Sequence, residues 1–135
     1  VKISDLGLSY PARFNGIYVH QGKLLTMVSA HQLSAIRSET PQDEWLYYTI
    51  DLATRHADPI ASLRPSSAFR QGVNIATVID GRLYLRYVRT SSEAPYNGYY
   101  TYDVATGLAT PAFSVALQSG YVADFKKITL TPQPR

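Results

Sequence analysis

Tyr47-Tyr48-Thr49-Ile50-Asp51-Leu52-Ala53-Thr54 returns as Tyr99-Tyr100-Thr101-Tyr102-Asp103-Val104-Ala105-Thr106, with six of eight residues identical and the other two exchanging apolar for apolar or aromatic. Self-similarity at this scale means that one supersecondary unit is used more than once. The octet also alternates as a strand does: Tyr48, Ile50 and Leu52 point one way, and Tyr100, Tyr102 and Val104 take the equivalent face. That face is expected to be core. The chain reads as a repeat of strands.

Outward from the octet, each copy is preceded by a hairpin. Phe14 to His20 reads as a strand, Gln21-Gly22 as a turn and Lys23 to Ser29 as the antiparallel partner. In the second copy residues 73–79 precede Asp80-Gly81, whose two positions tolerate positive φ, and Arg82 to Arg89 follows. Polar loops then lead to the octet, around 39–44 and 90–97. Gly22 to Asp51 spans 29 positions and Gly81 to Asp103 spans 22, so the units differ by seven residues (29 − 22) in that loop. Loops absorb such insertions.

Asp51 and Asp103 close the octet strands, where a carboxylate can accept hydrogen bonds from backbone N–H groups two or three residues on. Gly107 suits the left-handed position that returns the second chain segment; Arg55 stands there in the first, so a slightly different turn is expected. A fourth strand is expected near 58–63 and near 110–117, and the outer pieces 1–10 and 121–130 also read as strands, about ten in all. No window sustains helical periodicity; the best attempt, 30–37, is short and runs toward Pro41. The expected fold class is all-β: two four-stranded antiparallel meanders, about 14–63 and 73–117, plus terminal strands.

Composition agrees with strand chemistry, with 11 Tyr against four Phe and one Trp. A chain of 135 residues is enough for a single domain with its own core, or for a segment of a propeller. It contains no cysteine, which excludes disulfides, thiol catalysis and thiolate metal sites but leaves cytosol, periplasm and exterior open. No apolar run approaches the roughly 20 residues needed to span a bilayer, so a soluble chain is expected. It begins at Val1, which suggests a processed chain or a segment of a longer one. The net charge of +3 is spread along the chain. Arg82, Arg86 and Arg89 form the densest basic group, too sparse for an expected nucleic-acid surface.

A four-stranded meander of about 50 residues, with Gly22 or Gly81 in its inner hairpin and Asp51-Leu52-Ala53-Thr54 or Asp103-Val104-Ala105-Thr106-Gly107 in its outer turn, resembles a β-propeller blade. Kelch-like and quinoprotein-like propellers share the layout. The chain lacks the Gly-Gly pair of the first and the placed Trp of the second, so no subfamily is assigned. Two blades do not close a ring, which implies a fragment, an oligomer that completes the ring, or another duplicated meander. Small fucose-binding lectins resemble the oligomeric case; their sites use Trp and Arg in each blade, whereas the single Trp45 has Asn97 or Gly98 near its equivalent position. The opening Val1-Lys2-Ile3-Ser4-Asp5-Leu6-Gly7 is similar to a protein-kinase metal-binding segment, but the all-β context and the absence of a His-Arg-Asp loop set it aside.

No Gly-x-Ser-x-Gly is present, and His20, His31 and His56 have no catalytic context, although Asp58 falls on the same side of a strand as His56. The pair Asp43-Glu44 sits side by side on a loop, where neighbours point apart, and Asp51 and Asp103 are read as turn caps. Catalytic residues, metal ligands and cofactors are therefore not assigned. The aromatic residues offer the better surface. Tyr47 and Tyr99 are expected to cover the second sheet face, while Trp45 and Tyr96, with Arg37 on the longer insertion as a polar rim, are the candidate ligand-binding residues. The function expected is a non-catalytic binding or scaffolding module that recognises a protein or surface ligand through loops. The alternatives are a lectin-like propeller that binds a glycan and is completed by homo-oligomerisation, and a propeller segment of a larger enzyme.

Overall fold

The structure, a computed structural model, describes residues 6, 8, 12–30, 44–67, 74–90, 93–116, 125–128 and 130. Nine strands are assigned among them: β1 (Phe14–His20), β2 (Lys23–Ser29), β3 (Glu44–Asp51), β4 (Ala57–Pro59), β5 (Ser66–Ser67), β6 (Ala76–Ile79), β7 (Arg82–Arg89), β8 (Tyr96–Asp103) and β9 (Leu108–Ser114). The fold is all-β. One antiparallel sheet runs β1-β2-β3-β4, with the two-residue β5 also paired to β3; the other runs β6-β7-β8-β9.

The repeat is carried by register as well as by sequence. Leu24 pairs with Ile50 in the first sheet as Leu83 pairs with Tyr102 in the second, and Ser29 pairs with Trp45 as Val88 pairs with Asn97. Asn97 is therefore the counterpart of Trp45, and Gly98 that of Leu46. Both inner hairpins turn through two positive-φ residues, Gln21 and Gly22 at 48° and 75°, Asp80 and Gly81 at 53° and 75°. Such turns match the twist of the strands they join.

The outer turns close in the same way. Asp51 Oδ1 accepts from the N–H groups of Ala53 and Thr54, each at 2.9 Å, and Asp103 Oδ1 from those of Ala105 and Thr106, at 2.8 and 3.3 Å. Arg55 N–H returns to Asp51 O at 2.7 Å and Gly107 N–H to Asp103 O at 2.8 Å. The different turn expected at Arg55 is not found. Arg55 enters the left-handed region at φ 62°, beside 71° at Gly107, because the carboxylate cap and the closing hydrogen bond together hold it there.

Other expectations shift at the strand ends. The octet strands start earlier than their loops were drawn, at Glu44 and Tyr96. The fourth strand of the first unit stops at Pro59, which has no N–H to offer; the chain then turns inward, burying Ile60 and Leu63, before Ser66 rejoins β3 opposite Trp45. In the outer pieces expected as strands, the described residues Leu6, Leu8 and 125–128 are not in strands. The loop 39–43, the candidate helix 31–37 and most of 1–10 and 117–124 lie outside the described residues.

Buried residues occur on both faces of each sheet, not on one alone. Tyr47 and Tyr48, adjacent and opposed, are both buried, in different clusters. The back of the first sheet, with Leu25, Met27, Trp45 and Tyr47, packs on the front of the second, with Ala76, Leu83, Leu85 and Tyr102. The front of the first sheet carries Val28 and Tyr48 beneath Leu6, Leu8 and Ala12. The back of the second carries Tyr99 against Phe113 and Phe125, with ring centroids 5.4 and 4.6 Å apart. Repeat-equivalent residues thus face the same way, and the sheets stack front to back.

Polar contacts also tie the stack, among them those of Tyr47, Ser66 and Ser62. Tyr47 reaches the carbonyl oxygens of Ile75 and Arg86 in the second unit. Ser66 Oγ donates to Val88 O at 3.1 Å and accepts from Val88 N–H at 3.2 Å. Ser62 Oγ accepts from Ala109 N–H at 3.2 Å. Each engages a backbone group of the second unit, and Ile75 O also accepts from the Arg86 N–H at 2.9 Å.

Candidate functional site

The two ends of the stack differ. All four tight turns, after β1, β3, β6 and β8, lie at one end, and the longer connections after β2, β4 and β7 leave from the other. Sequence places the candidate residues at the second, loop-bearing end, and the structure treats each differently.

Trp45 is only 4% exposed and belongs to the core between the sheets. Its indole Nε1 is buried with no hydrogen-bond partner among the described residues. Tyr96 is half-buried at the first position of β8, its ring centroid 5.4 Å from Tyr87 and 4.8 Å from Tyr100, which are themselves 5.0 Å apart. Arg37 lies outside the described residues. Tyr96 therefore stands in an aromatic trio, with Trp45 in the core cluster against which the trio packs.

The trio is edge-to-face in one pair and tilted in the others, the arrangements that ring quadrupoles favour. Tyr96 Oη donates to Tyr99 O at 2.8 Å, beside the register shift where β9 passes Tyr99 and Tyr100. Burial, with Tyr100 close by, pushes the Tyr96 hydroxyl up to about 12, so it remains a donor. The Tyr96 hydroxyl is thus engaged within the sheet, and its ring packs on Tyr87 and Tyr100. The Tyr87 hydroxyl is also raised, chiefly by burial and against the pull of Arg89. Arg89 Nη1 donates to Pro65 O at 3.1 Å, and Arg64 Nη1 lies 3.5 Å from Glu93 Oε1. Arg89 and Arg64 give this end a basic rim.

The three arginines of β7 do not form a stripe. Arg86 is buried, Arg82 lines a cleft at the turn end, and Arg89 is held at the loop end. The turn-end cleft, about 700 Å³, is walled by His20, Gln21, Arg82, Tyr102, Asp103 and Thr106 among others. Its acids are already engaged: Asp103 caps its turn, and Asp80 accepts from Lys127 Nζ at 2.9 and 3.0 Å. Asp51 pairs with Lys23 at 2.9 Å, and His56 Nε2 meets Asp58 Oδ1 at 3.1 Å with both side chains exposed. Among the described residues no three His, Cys, Asp or Glu side chains converge on a metal-sized site. No described helix is long and apolar enough to cross a membrane.

Compared with known proteins, the chain matches no family model, no curated protein and no solved structure.

A third surface was not anticipated from sequence. On the front of the first sheet Phe14, Ile17, Leu24, Ile50 and Leu52, with Arg55 at the rim, line an open apolar groove of about 430 Å³. Alternation assigned Tyr48, Ile50 and Leu52 to a core face; Tyr48 and Ile50 are buried there, whereas Leu52 at the strand's end is exposed and its counterpart Val104 packs on the core. Which copy would keep that face covered depends on the order of stacking, which the pattern of a single strand does not contain.

Proposed function

We propose that the chain is a non-catalytic binding or scaffolding module of propeller-blade construction, which recognises a protein partner at its loop-bearing end. The observation that carries this reading is the Tyr87, Tyr96 and Tyr100 trio, with Tyr96 accessible at the mouth of the long connections and Arg64 and Arg89 beside it. Aromatic rings with arginine at the edge are the composition of protein-contact centres. The repeated carboxylates, Asp51 and Asp103, serve backbone amides, which fits a scaffold better than acid–base chemistry. Within this reading Trp45 supports the platform from beneath, and Tyr96 touches the partner.

The test compares Tyr96→Ala with Tyr96→Phe in affinity capture with cross-linking, alongside a glycan array. A protein whose capture survives Tyr96→Phe and is lost in folded Tyr96→Ala is the expected result. A glycan signal abolished by Tyr96→Ala would move the assignment to a lectin-like module, and absence of any Tyr96-dependent ligand would overturn recognition at this end.

A further inference from the structure

We infer that the cleft at the turn end is a binding site for a free α-amino acid, held by its two opposite charges between Arg82 and Asp103. The repeat supplies the comparison. In the first unit Lys23 and Asp51 stand one position beyond the Leu24–Ile50 pair and join in an ion pair at 2.9 Å. In the second unit Arg82 and Asp103 stand in the same two places, one position beyond the Leu83–Tyr102 pair. No ion pair joins them, and neither has a counter-ion among the described residues. Both line the cleft instead. The same pair of charges is closed in one unit and open in the other.

The remaining acid of the cleft is neutralised, since Asp80 accepts from Lys127 Nζ at 2.9 and 3.0 Å. Asp103 Oδ1 accepts from the N–H groups of Ala105 and Thr106, which fix the carboxylate in place but leave its negative charge without a cation. A fixed anion and an unspent cation thus share about 700 Å³ of open space, a volume within the range of small-molecule sites. The planar Arg82 guanidinium suits a carboxylate, to which it can donate two parallel hydrogen bonds. The Asp103 carboxylate accepts from an ammonium in turn. A simple anion on Arg82 would face Asp103, and a simple amine on Asp103 would face Arg82, so the like-charge contact selects a ligand that carries both groups. His20 and Gln21 reach the cleft from the hairpin of the first unit, and Thr106 borders it. The ligand's side chain therefore meets hydrogen-bonding groups, which favours a polar amino acid such as serine or glutamine. Both units build the site, and neither holds it alone.

The experiment is an amide NMR titration of the full chain at low salt with the common L-amino acids, and with propionate and ethylamine as single-charge controls. Because the two charges are open to solvent and screened, a Kd of about 1 mM is expected for the best ligand. Saturable shifts should appear at Gly81, Ala105 and Thr106. Arg82→Gln and Asp103→Asn should each weaken binding at least about tenfold, a change of about 1.4 kcal/mol. Asp103→Asn keeps the Oδ1 acceptor that caps the turn, and Arg82 is exposed, so both variants test the charge and spare the fold. Lys23→Gln, which alters the closed pair of the first unit, should leave binding unchanged. The absence of a saturable shift with every amino acid overturns the proposal, as does binding that survives Arg82→Gln. Propionate binding as tightly as the best amino acid would mean an anion site only and also overturn it. Loop-end recognition uses none of these residues, so the two proposals stand or fall separately.

Discussion

The Tyr47 hydroxyl of the first sheet lies 3.1 Å from the carbonyl oxygen of Ile75, at the entrance to the second. Its hydrogen is shared with Arg86 O, so one phenol serves two carbonyls where the β6–β7 ladder is only beginning. Burial raises the Tyr47 hydroxyl far above the ordinary tyrosine range, and it stays protonated wherever the chain is folded. Tyr47→Phe keeps the ring and removes the donor. Urea unfolding is expected to show a loss of about 0.5–1.5 kcal/mol, the net worth of a buried hydrogen bond, since Ile75 O keeps the Arg86 N–H as a donor; a change below a few tenths would mean that the bond is dispensable.

Arg55 is held left-handed by the same capped turn that Gly107 occupies without a Cβ. An L-residue there costs roughly 1–2 kcal/mol, part of which glycine returns through its freer unfolded state. Arg55→Gly is therefore expected to stabilise by about 0.5–1 kcal/mol and Gly107→Ala to destabilise. Thermal midpoints of the two variants should move in opposite directions.

The Asp51 carboxyl is held well below the usual carboxylate range, first by the Thr54 N–H and then by Lys23. A depressed folded-state value means that its contribution is complete above the unfolded aspartate range and is lost as pH falls through the folded one. The wild type should hold a constant melting temperature from neutrality down to about pH 5 and then lose stability into acid. Asp51→Asn should flatten that acid limb. An unchanged limb would place the pH dependence elsewhere.

Gly98 sits where a Cβ would stand 1.9 Å from Phe113 O. That atom is backbone of the neighbouring strand, so relief requires β8 and β9 to separate. Gly98→Ala is expected to cost more than about 3 kcal/mol, among the largest single-residue effects, and to expose the Phe113 and Phe125 layer. Hydrogen exchange should quicken first in β9; uniform protection would show that the sheet accommodates the methyl group.

Strands, hairpin turns and caps were legible because each depends on neighbours in sequence. Octet alternation, two-residue turns with Gly22 and Gly81, and aspartates placed two and three residues before the N–H groups they accept from are local chemistry. The candidate site was only partly legible. Tyr96 stands at the loop-bearing end as its position beside a loop suggested, but an indole one strand position from a loop reads as exposed until the second sheet is laid over it, and Trp45 is in the core.

Residue order by itself determined that this protein is a twice-used meander of β-strands, since alternation and turn chemistry act over a few residues. Only the tertiary structure decided that the two copies stack front to back, burying Trp45, covering Leu83 and Leu85, and leaving Ile17 and Leu52 open. The physical reason is that equivalent faces carry nearly equivalent side chains, so which one is covered is set by contacts between sheets rather than by the pattern along either.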